Sequence, residues 1–168
     1  MALSANQERF VDLWGSMGVF WGINRSMARI HAYILLSPHP VTLDEVVAQL
    51  TISKGNASMS LNELRHWGVI HRSHQRGDRR DYYTAEPDTW TMLFQIAKER
   101  KRREFDPALD ALRDLLGEGE SDATPEVAER LQELEKLMSL CDRVAGKLLV
   151  DVKKSRSVLT FVKLFLAE

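Results

Sequence analysis

The chain of 168 residues contains a single cysteine, Cys141, so no disulfide can form within it and a reducing compartment is expected. Long apolar runs are also missing, since none approaches the roughly 20 residues that a membrane-spanning helix needs. The first residues lack the basic-then-apolar pattern of a signal peptide. We therefore expect a cytoplasmic protein with no membrane segment. Cys141 itself lies in an apolar helical stripe, so we expect it to be an inert core residue.

Recognisable motifs of catalysis are absent from the sequence as well. It contains no Gly-x-Ser-x-Gly, no glycine-rich phosphate loop and no Ser, His and Asp set in a familiar order. His71 and His74 are three residues apart on a predicted strand, which places them on opposite faces, and that spacing chelates metals on helices instead. We therefore predict that the protein is not an enzyme and holds no cofactor and no metal.

Charge is unevenly distributed along the chain, although the formal net charge is only −1. Residues 52–103 contain 11 Lys and Arg against 6 Asp and Glu, whereas residues 104–136 contain 3 against 11. Opposite signs in adjacent blocks indicate that one surface meets an anionic polymer and another faces away from it. A near-neutral net charge does not favour a nucleic-acid binder. It is the best support for an alternative function, a module that binds another protein and not DNA.

Apolar periodicity and capping residues predict two N-terminal helices. Aromatic side chains repeat at helical spacing across residues 6–23. Asn24 is predicted to cap a second helix. Pro38 and Pro40 must end that helix, because each proline removes a donor and restricts the residue before it.

The next segment is predicted to form two helices and a hairpin. Asp44 is predicted to cap a short helix, and Ser53 to cap a longer one that runs to about Trp67. Two strands, residues 69–76 and 82–86, then flank a basic turn. A short helix, a turn, a longer helix and a hairpin with a basic tip are the layout of a winged helix-turn-helix.

From Pro87 onward the sequence predicts helices, interrupted by a linker over residues 117–124 that we expect to be flexible. The last helical stretch has an apolar heptad typical of helices that pack along a seam: Val127, Leu131, Leu134, Met138, Cys141, Ala145, Leu148, Val152, Leu159, Val162 and Leu166. The expected fold class is mainly α with a small β-hairpin wing. Residues 1–87 would form N-terminal helices and a winged helix-turn-helix domain, and residues 88–168 long dimerisation helices. Two chains would pair through the N-terminal and the C-terminal helices.

A helix that enters the DNA major groove needs an apolar face to anchor it and short polar side chains near its N-terminus. The predicted helix over residues 53–67 has both features. The wing, residues 76–81, carries arginines suited to the negative potential of a narrow minor groove. A solvated helix face and a solvated charged turn are the alternatives. The expected DNA contacts are Ser53, Lys54, Asn56, Ser58, Ser60, Arg65, Arg76, Arg79 and Arg80.

The wing and the N-terminal segments resemble the MarR-type winged-helix regulators. Their wing pattern, Asp-x-Arg before a Leu-Thr-like strand, is matched by Asp78-Arg79-Arg80 and Tyr83-Thr84, with Tyr83 in place of the usual leucine. The following segments are similar to the GbsR branch of that family: Trp14-Gly15, Gly18, Trp21-Gly22, Ala28–Leu36, Ser53–Ser58 and Leu64–Ile70. The resemblance covers roughly the first two-thirds of the chain.

This resemblance implies a homodimeric repressor or activator of transcription that binds double-stranded DNA. The helix from Ser53 would lie in the major groove and Arg79 in or near the minor groove. Independently of the resemblance, a carboxylate beside arginines can hold one of them in a fixed orientation, so we expect one of Asp78 and Asp81 to have that structural role. The two-fold symmetry of a homodimer predicts a near-palindromic operator.

A small-molecule effector is a further expectation from the resemblance, because the GbsR branch includes regulators linked to choline and betaine metabolism. Trp14, Trp21 and Tyr33 are the candidates for an aromatic cage around a quaternary ammonium group. The alternative is that these rings are core residues, as aromatic stripes at helical spacing usually are.

Overall fold

The computed structural model describes residues 3–117 and 124–150 of the chain. It is mainly helical with one three-stranded antiparallel sheet of order β1-β3-β2, which confirms the predicted fold class. In chain order the elements are α1 (Ala5–Phe20), α2 (Arg25–Leu36), β1 (Val41–Thr42), α3 (Leu43–Leu50), α4 (Lys54–His66), β2 (Ile70–His74), β3 (Asp81–Ala85), α5 (Thr89–Arg100), one π-helical turn (Lys101–Phe105), α6 (Asp106–Gly117) and α7 (Pro125–Val150).

The chain divides into two compact units, with the boundary between Met92 and Leu93. The predicted domains, residues 1–87 and 88–168, stay a prediction. Most of the predicted linker over 117–124 and the last part of the heptad, from Val152 onward, lie outside the described residues. Within the part of the chain that the structure describes, no helix is long and apolar enough to cross a membrane.

Helices α1 and α2 pack closely because α1 presents glycines to its neighbour. A Cβ atom on Gly18 would lie 2.5 Å from the Cβ of Ala28, which is closer than real Cβ atoms approach each other. A Cβ on Gly15 would lie 2.7 Å from the Cγ of Arg29. Asn24 caps α2 as predicted, since its side chain accepts from the backbone N–H groups of Ser26 and Met27.

The core of the first unit forms where α2 packs against α3, α4 and the sheet. Most residues of α2 between Met27 and Ile34 are buried in this core. Helix α4 packs against the core through its own apolar side, which anchors α4. The largest fully buried side chains of this unit are Val11, Ile30, Ile34, Val46, Leu61, Val69 and Ile70. This core holds α4 in place and leaves its opposite side to solvent.

The prediction that Asp44 caps the short helix is wrong, because Thr42 has that role. The Glu45 N–H donates to the Thr42 hydroxyl at 3.3 Å, and the Thr42 N–H donates to the Glu45 carboxylate at 2.6 Å. The two bonds form a capping box, which satisfies two backbone donors that have no partner within the helix. The bonds from Thr42 also hold the pKa of the Glu45 carboxyl below its usual value.

The sheet places the hairpin beside the helix-turn-helix. Strands β2 and β3 pair from Ile70 opposite Ala85 to His74 opposite Asp81, and β1 joins β3 with Val41 opposite Tyr83. Strand β2 is shorter than the predicted 69–76, and β3 has the predicted length but begins one residue earlier than the predicted 82–86.

Ion pairs cross between helices in the second unit. Lys101 lies 2.6 Å from carboxylate oxygens of both Asp106 and Asp142, and these contacts raise the pKa of the Lys101 ammonium. Arg113 joins α6 to α7 through Glu135 at 3.1 Å. The expectation that Cys141 is a core residue is wrong for the single chain: Cys141 is exposed and lines an open apolar groove of about 670 Å³.

A buried histidine links α1 and α2. Trp14 Nε1 donates to His31 Nδ1 at 3.2 Å, so the ring proton of a neutral His31 lies on Nε2, which has no hydrogen-bond partner. Only 2 % of His31 is exposed, and burial lowers its pKa from 6.5 to about 4. His31 is therefore neutral at physiological pH.

We expect His31 to make the fold sensitive to acid. Its folded-state pKa lies below the unfolded value, so the unfolded chain binds the proton more tightly, and stability present at neutral pH is lost as the pH falls from about 6.5 toward 4. Between pH 7 and pH 4.5 the free energy of unfolding of the wild type should fall by about 2 kcal/mol more than that of His31→Gln. Chemical denaturation at both pH values measures this difference. The exposed His39→Gln is the control, and equal losses in all three proteins would contradict the assignment.

Candidate nucleic-acid interface

Helix α4 begins where the sequence predicts. The Ser53 hydroxyl accepts from the Asn56 N–H at 3.2 Å and caps the helix. Ser53 and Lys54 are exposed, and a Cβ atom on Gly55 would meet nothing within 4 Å. The N-terminal turn of α4 is therefore open to a large partner. At the other end Gly68, with a φ of 74°, follows the C-cap.

Two of the predicted DNA contacts on α4 are turned toward α2. The Asn56 side-chain amide donates to the Ser26 hydroxyl at 3.1 Å, and its oxygen accepts from the Ser60 hydroxyl at 3.3 Å. Ser60 is only 7 % exposed. Asn56 and Ser60 therefore fix α4 against α2 through a chain of hydrogen bonds that runs from Ser26.

The outward face of α4 contains two residues that the sequence reasoning did not select. Met59 is 75 % exposed and Asn62 is exposed as well. Both residues could have been found from the sequence. Ala57, Leu61 and Leu64 mark the buried side of the helix, and the 3.6-residue period then places Met59 and Asn62 on the opposite side. Choosing residues by their short polar character missed this geometry.

A polar cleft of about 340 Å³ brings α4 together with the start of α3 and the hairpin. Helix α4 contributes Lys54, Ser58 and Asn62 to its lining, and with Arg80 of the wing three predicted contacts and one new residue share the cleft. The other lining residues are Thr42, Leu43, Asp44, Arg72, Arg80, Asp81 and Tyr83. On one edge the Lys54 ammonium lies 3.0 Å from Asp44.

The wing is ordered by Asp78. Its carboxylate accepts from the Arg80 backbone N–H at 2.9 Å, from the Arg80 guanidinium at 2.6 Å and from the Tyr82 hydroxyl at 2.7 Å. The Arg80 guanidinium also lies 5.5 Å from the centre of the Tyr82 ring. These bonds hold the pKa of the Asp78 carboxyl well below its usual range.

Both wing carboxylates contact arginines. Asp81 lies 3.3 Å from Arg72 and 3.2 Å from His74. The predicted contacts Arg76 and Arg79 are exposed, and neither forms an ion pair within residues 3–117 and 124–150. The predicted contact Arg65 is half-buried near the end of α4. The wing thus combines one arginine held by a carboxylate with two cations open to a partner.

Among the described residues, no three His, Cys, Asp or Glu side chains lie close enough together to hold a metal ion. His71 lies 2.8 Å from Glu86. That contact is a single pair on the exposed edge of the hairpin.

The proposed aromatic cage is not assembled in the structure. Trp14 stacks on Phe10, with ring centres 5.7 Å apart, and donates to His31. Tyr33 is 5 % exposed within the core, and Trp21 is the half-buried C-cap residue of α1. Trp14, Trp21 and Tyr33 make no ring contact with one another in the described part of the chain. The cage stays a prediction without a geometric basis.

Comparison with known proteins places transcriptional regulators among the relatives of this chain. It is 27% identical over 138 residues to the HTH-type transcriptional regulator MmpR5 of Mycobacterium tuberculosis. The matched residues cover 82% of this chain and 81% of that protein. A crystal structure of a transcriptional regulator matches with a TM-score of 0.63 and 25% identity, over 86% of this chain and 95% of that one. The crystal structure of MarR matches with a TM-score of 0.40 and 19% identity, over 85% and 92%. No protein-family model matches the sequence.

We expect Asp78→Asn to lower the pKa of Tyr82. The hydrogen bond to Asp78 is the main cause that raises the Tyr82 pKa above 10.0, and an uncharged amide removes most of its effect. Ring resonances followed by NMR to alkaline pH would show the shift, with Tyr82→Phe to assign the signal. The matched control is Asp81→Asn, because Asp81 acts on Tyr83. An unchanged Tyr82 titration in Asp78→Asn would show that the bond does not persist in solution.

Proposed function

We propose that the protein is a MarR-type regulator of transcription that binds double-stranded DNA, with α4 in the major groove and the wing at the minor groove. The observation that carries the proposal is the polar cleft, because its walls combine the exposed side of α4 with the arginine-bearing hairpin. The similarity to an HTH-type transcriptional regulator supports it. Assignment to the GbsR branch and control by a small-molecule effector rest on the sequence resemblance alone.

Affinity for DNA would come mainly from cations on this side of the protein. Lys54, Arg65, Arg76 and Arg80 would contact phosphates, so binding would weaken as salt rises. Arg79, which is exposed at the tip, would reach the minor groove, where the potential is most negative. Asp78 would keep Arg80 in a fixed orientation before DNA arrives.

Pairing of two chains is part of the same proposal. Helix α7 carries apolar side chains that are about half exposed in the single chain, which indicates a surface completed by a partner. They are Val127, Leu134, Leu137, Leu140 and Val144. A two-fold dimer would present two copies of α4 to successive turns of a near-palindromic operator.

We expect Arg79→Ala to weaken binding to specific and random duplexes alike. Loss of one cation near the DNA should lower the slope of log affinity against log salt by about 0.9. Fluorescence anisotropy with labelled duplexes over a range of salt concentrations measures both effects. Arg143→Ala removes the same charge from α7, on a side of the helix away from the apolar stripe, and should change neither.

Two outcomes of that titration decide between the classes of function. If Arg79→Ala bound both duplexes like the wild type, the role of the wing would be wrong. If the wild type bound no duplex even at low salt, the alternative would be favoured, namely a winged-helix module that binds proteins and not DNA.

We also expect the double variant Leu137→Glu/Val144→Glu to be monomeric. Both side chains are about half exposed on α7, and carboxylates there should prevent apolar pairing while the single chain stays folded. Light scattering after size exclusion should give twice the 19.2 kDa chain mass for the wild type and the chain mass for the variant. Gln132→Glu, also exposed on α7, is the control. A wild-type monomer at micromolar concentration would contradict the two-site proposal.

A further inference from the structure

The most exposed line along α4 does not coincide with the polar residues that the sequence suggested. Gly55, Met59, Asn62 and His66 follow one another at steps of four, three and four residues, so they share one face of the helix. All four are exposed. We name this line the outer stripe. It lies opposite the buried Ala57, Leu61 and Leu64, the face that anchors α4.

The rotation of α4 about its own axis is fixed from the other side. Asn56 and Ser60 are bonded to each other and through Asn56 to Ser26. Turning α4 to expose Asn56 would break these bonds and withdraw Leu61 and Leu64 from the core. A partner that approaches α4 therefore meets the outer stripe first.

Met59 is the apolar exception on this face. Its side chain is 75 % exposed, yet the neighbouring positions on the cleft side, Lys54, Ser58 and Asn62, are polar. One large apolar side chain among hydrogen-bonding groups fits the major groove of an A·T pair, where thymine presents a methyl group among polar base edges. Asn62 is three residues further along. Its amide matches the donor and acceptor pair of adenine N6 and N7.

We propose that Met59 and Asn62 select A·T pairs in the operator, Met59 by contact with a thymine methyl group and Asn62 by two hydrogen bonds to an adenine. This inference rests on the proposed DNA binding and adds which bases are read. The two residues are three positions apart on one face of α4, where Cβ atoms lie about 5–6 Å from each other, so both can reach base pairs that are close together in the groove. Gly55, without a side chain, lets the first turn of α4 approach the groove closely.

The test begins with selection of preferred sites from random duplex DNA by the full-length wild type. Each thymine of the selected site is then replaced in turn by uracil, which lacks only the methyl group. Wild-type affinity should fall about fourfold at one position in each half-site. Met59→Ala should bind thymine and uracil duplexes equally there, while Met59→Leu should keep part of the difference.

Asn62 is tested at a nearby base pair. Replacing its adenine with 7-deazaadenine removes the N7 acceptor and should weaken the wild type about tenfold, whereas Asn62→Ala should be insensitive to the change. Gln132→Ala, which removes an exposed amide from α7, is the matched control and should keep both sensitivities. Because Met59 and Asn62 are exposed, thermal unfolding of the variants should match the wild type.

The possible failures are distinct. If the wild type selects sites but no thymine-to-uracil change affects it, or Met59→Ala retains the effect, the role of Met59 is overturned while DNA binding stands. The same logic applies to Asn62 and 7-deazaadenine. If the wild type binds no duplex at low salt, the proposed function itself fails.

Discussion

The surface that α4 offers to a partner depends on the hydrogen bonds between Ser26, Asn56 and Ser60. Without them, the apolar contacts of Leu61 and Leu64 would still hold α4 against the core, but apolar packing is not directional and tolerates small rotations. The two bonds, at 3.1 and 3.3 Å, are directional and partly shielded from water. They select one rotation, which turns Met59 and Asn62 outward and keeps the first turn of α4 accessible.

Carboxylates accompany the cations on this side of the molecule, and this changes how its net charge should be understood. Asp44 lies beside Lys54, Asp78 beside Arg80 and Asp81 beside Arg72. These exposed pairs add little to stability because water screens them. Their main consequence is orientation: Asp78 fixes both the backbone and the guanidinium of Arg80, so fewer side-chain rotations are lost when a partner binds. Positive charge on the wing comes instead from Arg76 and Arg79, which are exposed and form no ion pair among the described residues, although the formal net charge of the chain is −1.

The elements could be predicted from the sequence because their signals are local. Asn24 and Ser53 cap helices as expected, and the basic turn lies at the tip of a hairpin. The Thr42 cap was also open to prediction, because Thr42 and Glu45 form a capping box only three residues apart. The direction in which Asn56 points could not be predicted, since it depends on a partner distant in sequence. Thr42 caps α3 because Glu45 completes the box and the strand pairing with Tyr82 positions its backbone. Asn56 points inward because Ser26, thirty residues earlier, is within reach.

The apolar heptad of α7 shows how one pattern can serve two surfaces. Leu131, Met138 and Ala145, spaced by seven residues, are half-buried, whereas Val127, Leu134 and Cys141, also spaced by seven, are exposed. The heptad predicts an apolar seam but does not state whether one neighbour or two will cover it. Half of the seam is partly shielded within its own chain. The other half leaves apolar side chains exposed to water. The folding of a single chain does not require these exposed apolar residues, and their presence is the physical argument for a second chain.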